Sequence, residues 1–129
     1  MKIIYIVVKM SDNFLRLARK EIQEELNSLN QILSQCNSDP DISTNGKEIE
    51  KHLHKIKGLA PMMDQKDVGD IAALIDTIAK HVIANGTLDG TCNIFAESIK
   101  IMSDVFSGAK MNAEEFKNKI KQTFSDVLN

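Results

Sequence analysis

The sequence has no tryptophan and one tyrosine, and aromatic residues make up only 5% of it. A core so poor in rings has to be built from aliphatic side chains. The six methionines then read as core residues that fill the gaps. Two prolines and six glycines are too few to punctuate the many short strands of a β-sandwich or barrel. Neither charge is in large excess: 16 basic residues stand against 18 acidic ones, for a net charge of -2. The basic surplus of a duplex-binding protein is missing, which argues against nucleic acid as a partner. Long apolar runs are missing as well. The run Ile3-Ile4-Tyr5-Ile6-Val7-Val8 is too short for the core of a signal peptide and far too short to span a membrane. The expectation is therefore a cytoplasmic chain with no membrane partner. Cysteine is sparse, and Cys36 and Cys92 form no closely spaced pair, so both read as reduced, buried thiols.

What is present suits one domain. The chain of 129 residues is 43% hydrophobic, enough for a folded core without disulfides. It is too small for a nucleotide-binding fold plus a substrate domain, so in any reaction it supplies one piece.

Residues 1–10 read as an N-terminal extension. Their β-branched run suggests a short strand or a packing arm, and Ser11 or Asp12 can cap a helix that follows. Residues 11–129 read as one helical bundle. From Asp12 to about Cys36, Phe14, Ala18, Ile22, Leu26, Leu29, Leu33 and Cys36 recur at steps of three and four. Asn37 to Gly46 is turn chemistry throughout and reads as a loop. Asn45 and Glu48 have the spacing of a capping box for a second helix, Gly46 to Met63, with the stripe Ile49, Leu53, Ile56, Ala60 and Met63. Pro61 should kink or end it.

A third helix, about Asp67 to Asn85, turns Val68, Ile71, Ala72, Ile75, Ile78, Ala79 and Val82 inward and ends at Asn85-Gly86. A fourth, about Thr87 to Ser107, carries Leu88, Cys92, Phe95, Ile99, Met102 and Phe106, and Gly108 stops it. A fifth starts at the cap Asn112, with Glu114 and Glu115 in its first turn, and carries Phe116, Ile120, Phe124 and Val127. The expected fold is all-α: an up-and-down four-helix bundle with an additional fifth, C-terminal helix.

One constellation on the second helix carries chemistry. On a wheel centred on its apolar stripe, His54 falls at about 140°, on the solvent side, and Lys57 at about 80°, one turn further on. Gly58 falls near 180°, four residues after His54. Helical side chains lean towards the N-terminus, so a side chain at position 58 would lie over the His54 ring. Glycine inside a helix costs about 1 kcal/mol, and bare backbone beside an exposed imidazole gives it a purpose: a second protein can approach. Neutral histidine can attack phosphorus, and Lys57 can offset the charge of the phosphoramidate. The ring's other nitrogen needs a holder, usually a carboxylate. Asp76, on the flank of the third helix, is the candidate, and Lys80 can pair with it.

These residues make the sequence resemble a histidine-containing phosphotransfer (HPt) domain, closest to the N-terminal phosphotransfer domains of CheA-type chemotaxis kinases. The pattern His-x-x-Lys-Gly on the second bundle helix stands here as His54, Lys57 and Gly58. The resemblance covers about Asn13 to Phe106. It implies that His54 accepts a phosphoryl group from a histidine-kinase ATP-binding domain and passes it to an aspartate of a response-regulator receiver of the CheY or CheB kind. It also implies a monomeric carrier that is not catalytic alone and binds no cofactor, with ATP and Mg²⁺ held by its partners. Asp76 matches the family's glutamate that bonds the phosphorylated ring. Three places depart from the pattern: Asp76 is one methylene shorter than that glutamate, Ala73 replaces a frequent second histidine, and Pro61-Met62-Met63 replaces a glycine-phenylalanine turn.

The alternative from another class is a helical docking module with a degenerate, unphosphorylated site. A metal site built on Glu50 and His54 finds no further ligand at bundle spacing, so no metal is expected. His52 reads as a boundary residue beside the apolar stripe and His81 as a surface residue.

Overall fold

Each periodic apolar segment is helical. The computed structural model is described here for the backbone of residues 2–128 and for side chains from residue 12 to residue 128. Among these residues the elements are α1 (Lys2–Ser34), α2 (Asp39–Thr44), α3 (Gly46–Leu59), a 3₁₀ turn (Ala60–Met63), α4 (Lys66–Asn85), α5 (Thr91–Phe106), α6 (Ala113–Thr123) and α7 (Ser125–Leu128). Helix α1 packs on α3 and α5, and α4 packs on α3 and α5, which closes a four-helix ring. Helices α6 and α7 lie against α4. The protein is an all-α four-helix bundle with additional C-terminal helices.

The inward stripes meet along the axis of this ring. Ile22, Leu26 and Leu29 of α1, Ile49, Leu53 and Ile56 of α3, Ile71, Ile75 and Ile78 of α4, and Phe95 and Ile99 of α5 are all buried in one core. Complete burial of such a side chain contributes about 1.5–3 kcal/mol, an upper figure because the unfolded chain is itself partly collapsed. Four helices with continuous stripes therefore hold one another without disulfides. Both cysteines are free, Cys36 buried and Cys92 partly so.

Several local expectations need correction. Backbone helix runs without a break through Ser11 and Asp12, so neither starts α1, and residues 2–10 form no strand. The packing of the expected arm, like Met1 and Met10, lies outside the described side chains. Phe14 is 41% exposed, because the first turns of α1 with described side chains face no neighbouring helix. The segment after Cys36 holds the short helix α2. Pro40 stands in its first turn, and Ile42 is buried against the core. Asp39 gains a role the sequence did not show: its carboxylate accepts from the backbone N–H groups of Gly90 (2.9 Å) and Cys92 (2.8 Å). It thereby caps α5 from 51 residues away. That capping fits a start at Thr91 instead of Thr87.

Asn45 makes no capping box. Its side-chain amide donates to the Asp41 carbonyl at 2.8 Å. The cap at Asn112 forms as expected, with its side-chain oxygen accepting from the Glu115 N–H. The last helix breaks at Phe124 into α6 and α7. The methionines divide: Met102 is buried, whereas Met62 is 61% exposed and Met111 is also exposed.

Helix α3 ends close to where Pro61 predicts. The 3₁₀ turn carries Pro61, and Asp64 closes it in the left-handed region (φ 60°). Gly69, in the first turns of α4, lies beneath this proline: a Cβ there would stand 2.9 Å from Pro61 Cγ. The tight contact packs the start of α4 against the turn that ends α3.

Candidate functional site

The site lies on the outer part of the α3–α4 seam, between the apolar stripe and solvent. His54 sits on the exposed side of α3, with its side chain 64% accessible. Gly58, one turn on, is exposed, and a Cβ built on it would meet nothing within 4 Å. Position 58 is therefore open, and the backbone beside the ring is bare, as the wheel predicts.

Asp76 is not on a flank. Its side chain is 1% exposed, because α4 is covered by α3, α5, α6 and α7 together and more of its circumference is buried than one stripe implies. The carboxylate is held by two cations. Lys57 Nζ lies 2.9 Å and Lys80 Nζ 3.3 Å from Asp76 Oδ2. The Lys80 pairing is as expected. Lys57 is drawn down to Asp76, where the sequence placed it beside His54 alone. Its hydrogen bond to Asp76 outweighs partial desolvation and raises the Lys57 ammonium further above its ordinary value.

The residue nearest the ring on the carboxylate side is Glu50, one turn before His54 on α3. Its Oε2 lies 3.9 Å from His54 Nδ1. Glu50 Oε2 and Asp76 Oδ1 are both buried, and with both carboxyls ionised neither has a hydrogen-bond partner. Burial and like charge both work against ionising the two carboxyls together. Burial raises the Asp76 carboxyl, but hydrogen bonds with Glu50, Lys57 and Lys80 outweigh it and hold Asp76 below the ordinary Asp range. The hydrogen bond shared with Asp76, then burial, push Glu50 above its ordinary value. Of the two, Glu50 is therefore the carboxyl that takes up a proton first as pH falls. Lys57 and Lys80 thus place two ammonium groups on Asp76 in the seam below His54.

Glu50, His54 and Asp76 place ligand-type atoms within 4.8 Å of one another. A further carboxylate does converge on Glu50 and His54, contrary to the expectation from bundle spacing. The arrangement suits a metal ion poorly, because the two ammonium groups on Asp76 Oδ2 oppose a second cation. His52, on the other side of α3, is 12% exposed and bonds Glu25 of α1, with Glu48 3.4 Å away. It ties α3 to α1, as befits a boundary residue. His81 is partly buried and bonds within its own helix, to Asn85.

The sequence thus brings His54, Lys57, Gly58 and Asp76 to one seam, but the nearest partners differ: Lys57 meets Asp76, and His54 meets Glu50. Glu50 was legible only as a carboxylate four residues before a histidine on one helix face, a pair common on solvated surfaces. No family model, curated protein or solved structure matches this chain.

Proposed function

We propose that the chain is a phosphotransfer carrier of a two-component or chemotaxis-type system, working in the cytoplasm, with His54 as its phosphoacceptor. The observation that carries this reading is an exposed imidazole beside a bare Gly58 backbone, above a seam where Lys57 and Lys80 meet Asp76. Nδ1 faces Glu50, so Nε2 is the nitrogen turned to a donor. Its lone pair attacks the γ-phosphorus of ATP held by a kinase domain, and the bond to the ADP oxygen breaks. Nδ1 keeps its proton, and the imidazole carries a P–N bond. In the second transfer a receiver aspartate oxygen attacks phosphorus, and the P–N electron pair returns to Nε2. Nucleotide and Mg²⁺ belong to the partners in both steps. The domain contributes the ring, its orientation and positive charge for the phosphoryl oxygens.

The test is phosphorylation by a CheA-type kinase core with ATP, and separately by phosphoramidate, a small donor that needs no docking. An acid-labile, base-stable phosphate that disappears in His54→Gln is expected. Label that survives this substitution refutes His54 as acceptor.

The docking-module alternative has one observation in its favour: Lys57 is already engaged by Asp76 and must leave it, at least in part, to meet a phosphoryl group. Absence of label from both donors decides for that alternative.

A further inference from the structure

We propose that Glu50, not Asp76, is the positioning residue for the His54 ring, and that it links the ring to the buried Asp76 through a chain of two hydrogen bonds. The phosphotransfer consequence rests on the function proposed above; the effect on the ring does not.

Asp76, the residue that the resemblance assigns to this task, is committed elsewhere. Its Oδ2 holds Lys57 and Lys80 at 2.9 and 3.3 Å, and its side chain is 1% exposed where that of His54 is 64% exposed. Glu50 lies between them. It shares the helix face of His54 at one turn's spacing, and its Oε2 is 3.9 Å from Nδ1. The ring is exposed, and a movement of about 1 Å brings Nδ1–H to hydrogen-bond length. The Glu50 carboxyl then works in two directions. Towards Asp76, a proton held between Glu50 Oε2 and Asp76 Oδ1 would satisfy the two oxygens otherwise left without partners. Towards His54 it accepts from Nδ1–H, which fixes the tautomer with the lone pair on Nε2. The lysines hold Asp76 ionised, Asp76 holds Glu50, and Glu50 holds the ring.

Glu50 Oε2 is the atom that faces both Asp76 and the ring. A glutamine presents either its NH₂ or its carbonyl there, so Glu50→Gln keeps at most one of the two bonds. Glu50→Ala removes both and should release the ring.

Long-range ¹H–¹⁵N correlation spectra of the ¹⁵N-labelled full chain read the tautomer of His54 directly, with His54→Gln assigning its signals against His52 and His81. The wild type is expected in the Nδ1–H form. Glu50→Ala should shift towards the Nε2–H form that a free histidine side chain prefers, and Asp76→Asn should leave His54 in the Nδ1–H form. With phosphoramidate as donor, Glu50→Ala should slow phosphorylation roughly tenfold, the rate equivalent of one hydrogen bond to a group that becomes charged. A wild-type His54 in the Nε2–H form overturns the inference without any variant. So does a tautomer that follows Asp76→Asn and ignores Glu50→Ala. A ring held by Glu50 that takes no phosphoryl group from either donor refutes the carrier reading and leaves this inference standing. Phosphorylation indifferent to Glu50→Ala does the reverse.

Discussion

Gly58→Ala separates the stability of this helix from its use. Gly58 is the second-last residue of α3, in helical backbone, and a Cβ there meets nothing within 4 Å. No clash offsets the gain in helix propensity, so the substitution should stabilise the protein by about 0.5–1 kcal/mol. For a domain of this size that raises the thermal midpoint by about 2–5 °C, readable by far-UV circular dichroism. The added methyl group also projects into the open space one turn from His54 that a docking partner would use. Phosphorylation by a kinase core should therefore slow, and Gly58→Leu should slow it further, by about tenfold or more, because a displacement of the donor by about 1 Å is enough for such losses. Phosphoramidate should react with all three proteins at similar rates. A lower melting temperature in Gly58→Ala would refute the open-space argument. A more stable variant with unchanged kinase-dependent phosphorylation would refute the claim that bare backbone serves docking.

His54→Gln removes the proposed acceptor but changes an exposed side chain only, so its unfolding free energy should stay within about 0.5 kcal/mol of wild type in urea titrations. Asp39→Ala uncaps α5 and should cost about 1–2 kcal/mol. Backbone N–H groups of Cys92 and Gly90 hold the Asp39 carboxyl below its ordinary value of 3.8. Its contribution is therefore complete above that value and fades as pH falls through 3.8 towards the lower folded value, so the wild-type and Asp39→Ala stability curves should converge in acid. Lys117 is 4% exposed and holds Asp67, Asp70 and Glu114 at 2.7, 2.9 and 3.3 Å; Lys117→Ala should cost about 1.5–3 kcal/mol and speed hydrogen exchange selectively in α6. Gly69→Ala should destabilise the protein by about 1–3 kcal/mol by overpacking against Pro61, and a neutral result would show that the turn yields.

The helical stripes were legible because burial against several neighbours leaves a periodic trace. Ile49, Leu53, Ile56 and Ala60 are spaced as they are because each faces the same ring of helices. The same periodicity failed at Phe14, where the helix continues and its partner does not. It failed again at Asp76, because a wheel gives direction about one axis and not the number of helices that cover it. Helix α2 escaped notice because six residues rich in turn formers read as a loop, and its helical form rests partly on Ile42 reaching the core. At the site, the sequence showed which residues share the seam: His54, Lys57 and Gly58 follow from spacing on one helix.

By itself, then, the sequence determined the all-α class, the faces of the helices, and an exposed histidine followed by a lysine and an open glycine. These depend on local geometry at 3.6 residues per turn, and that geometry is written into the chain. Only the tertiary structure decided which charge meets which. The distance from α3 to α4 and the depth of Asp76 are set by packing between helices. They bind Lys57 to Asp76 and leave Glu50 as the carboxyl beside the ring. The contact between the Glu50 and Asp76 carboxyls has no sequence signature, because it exists only when two helices bring them together.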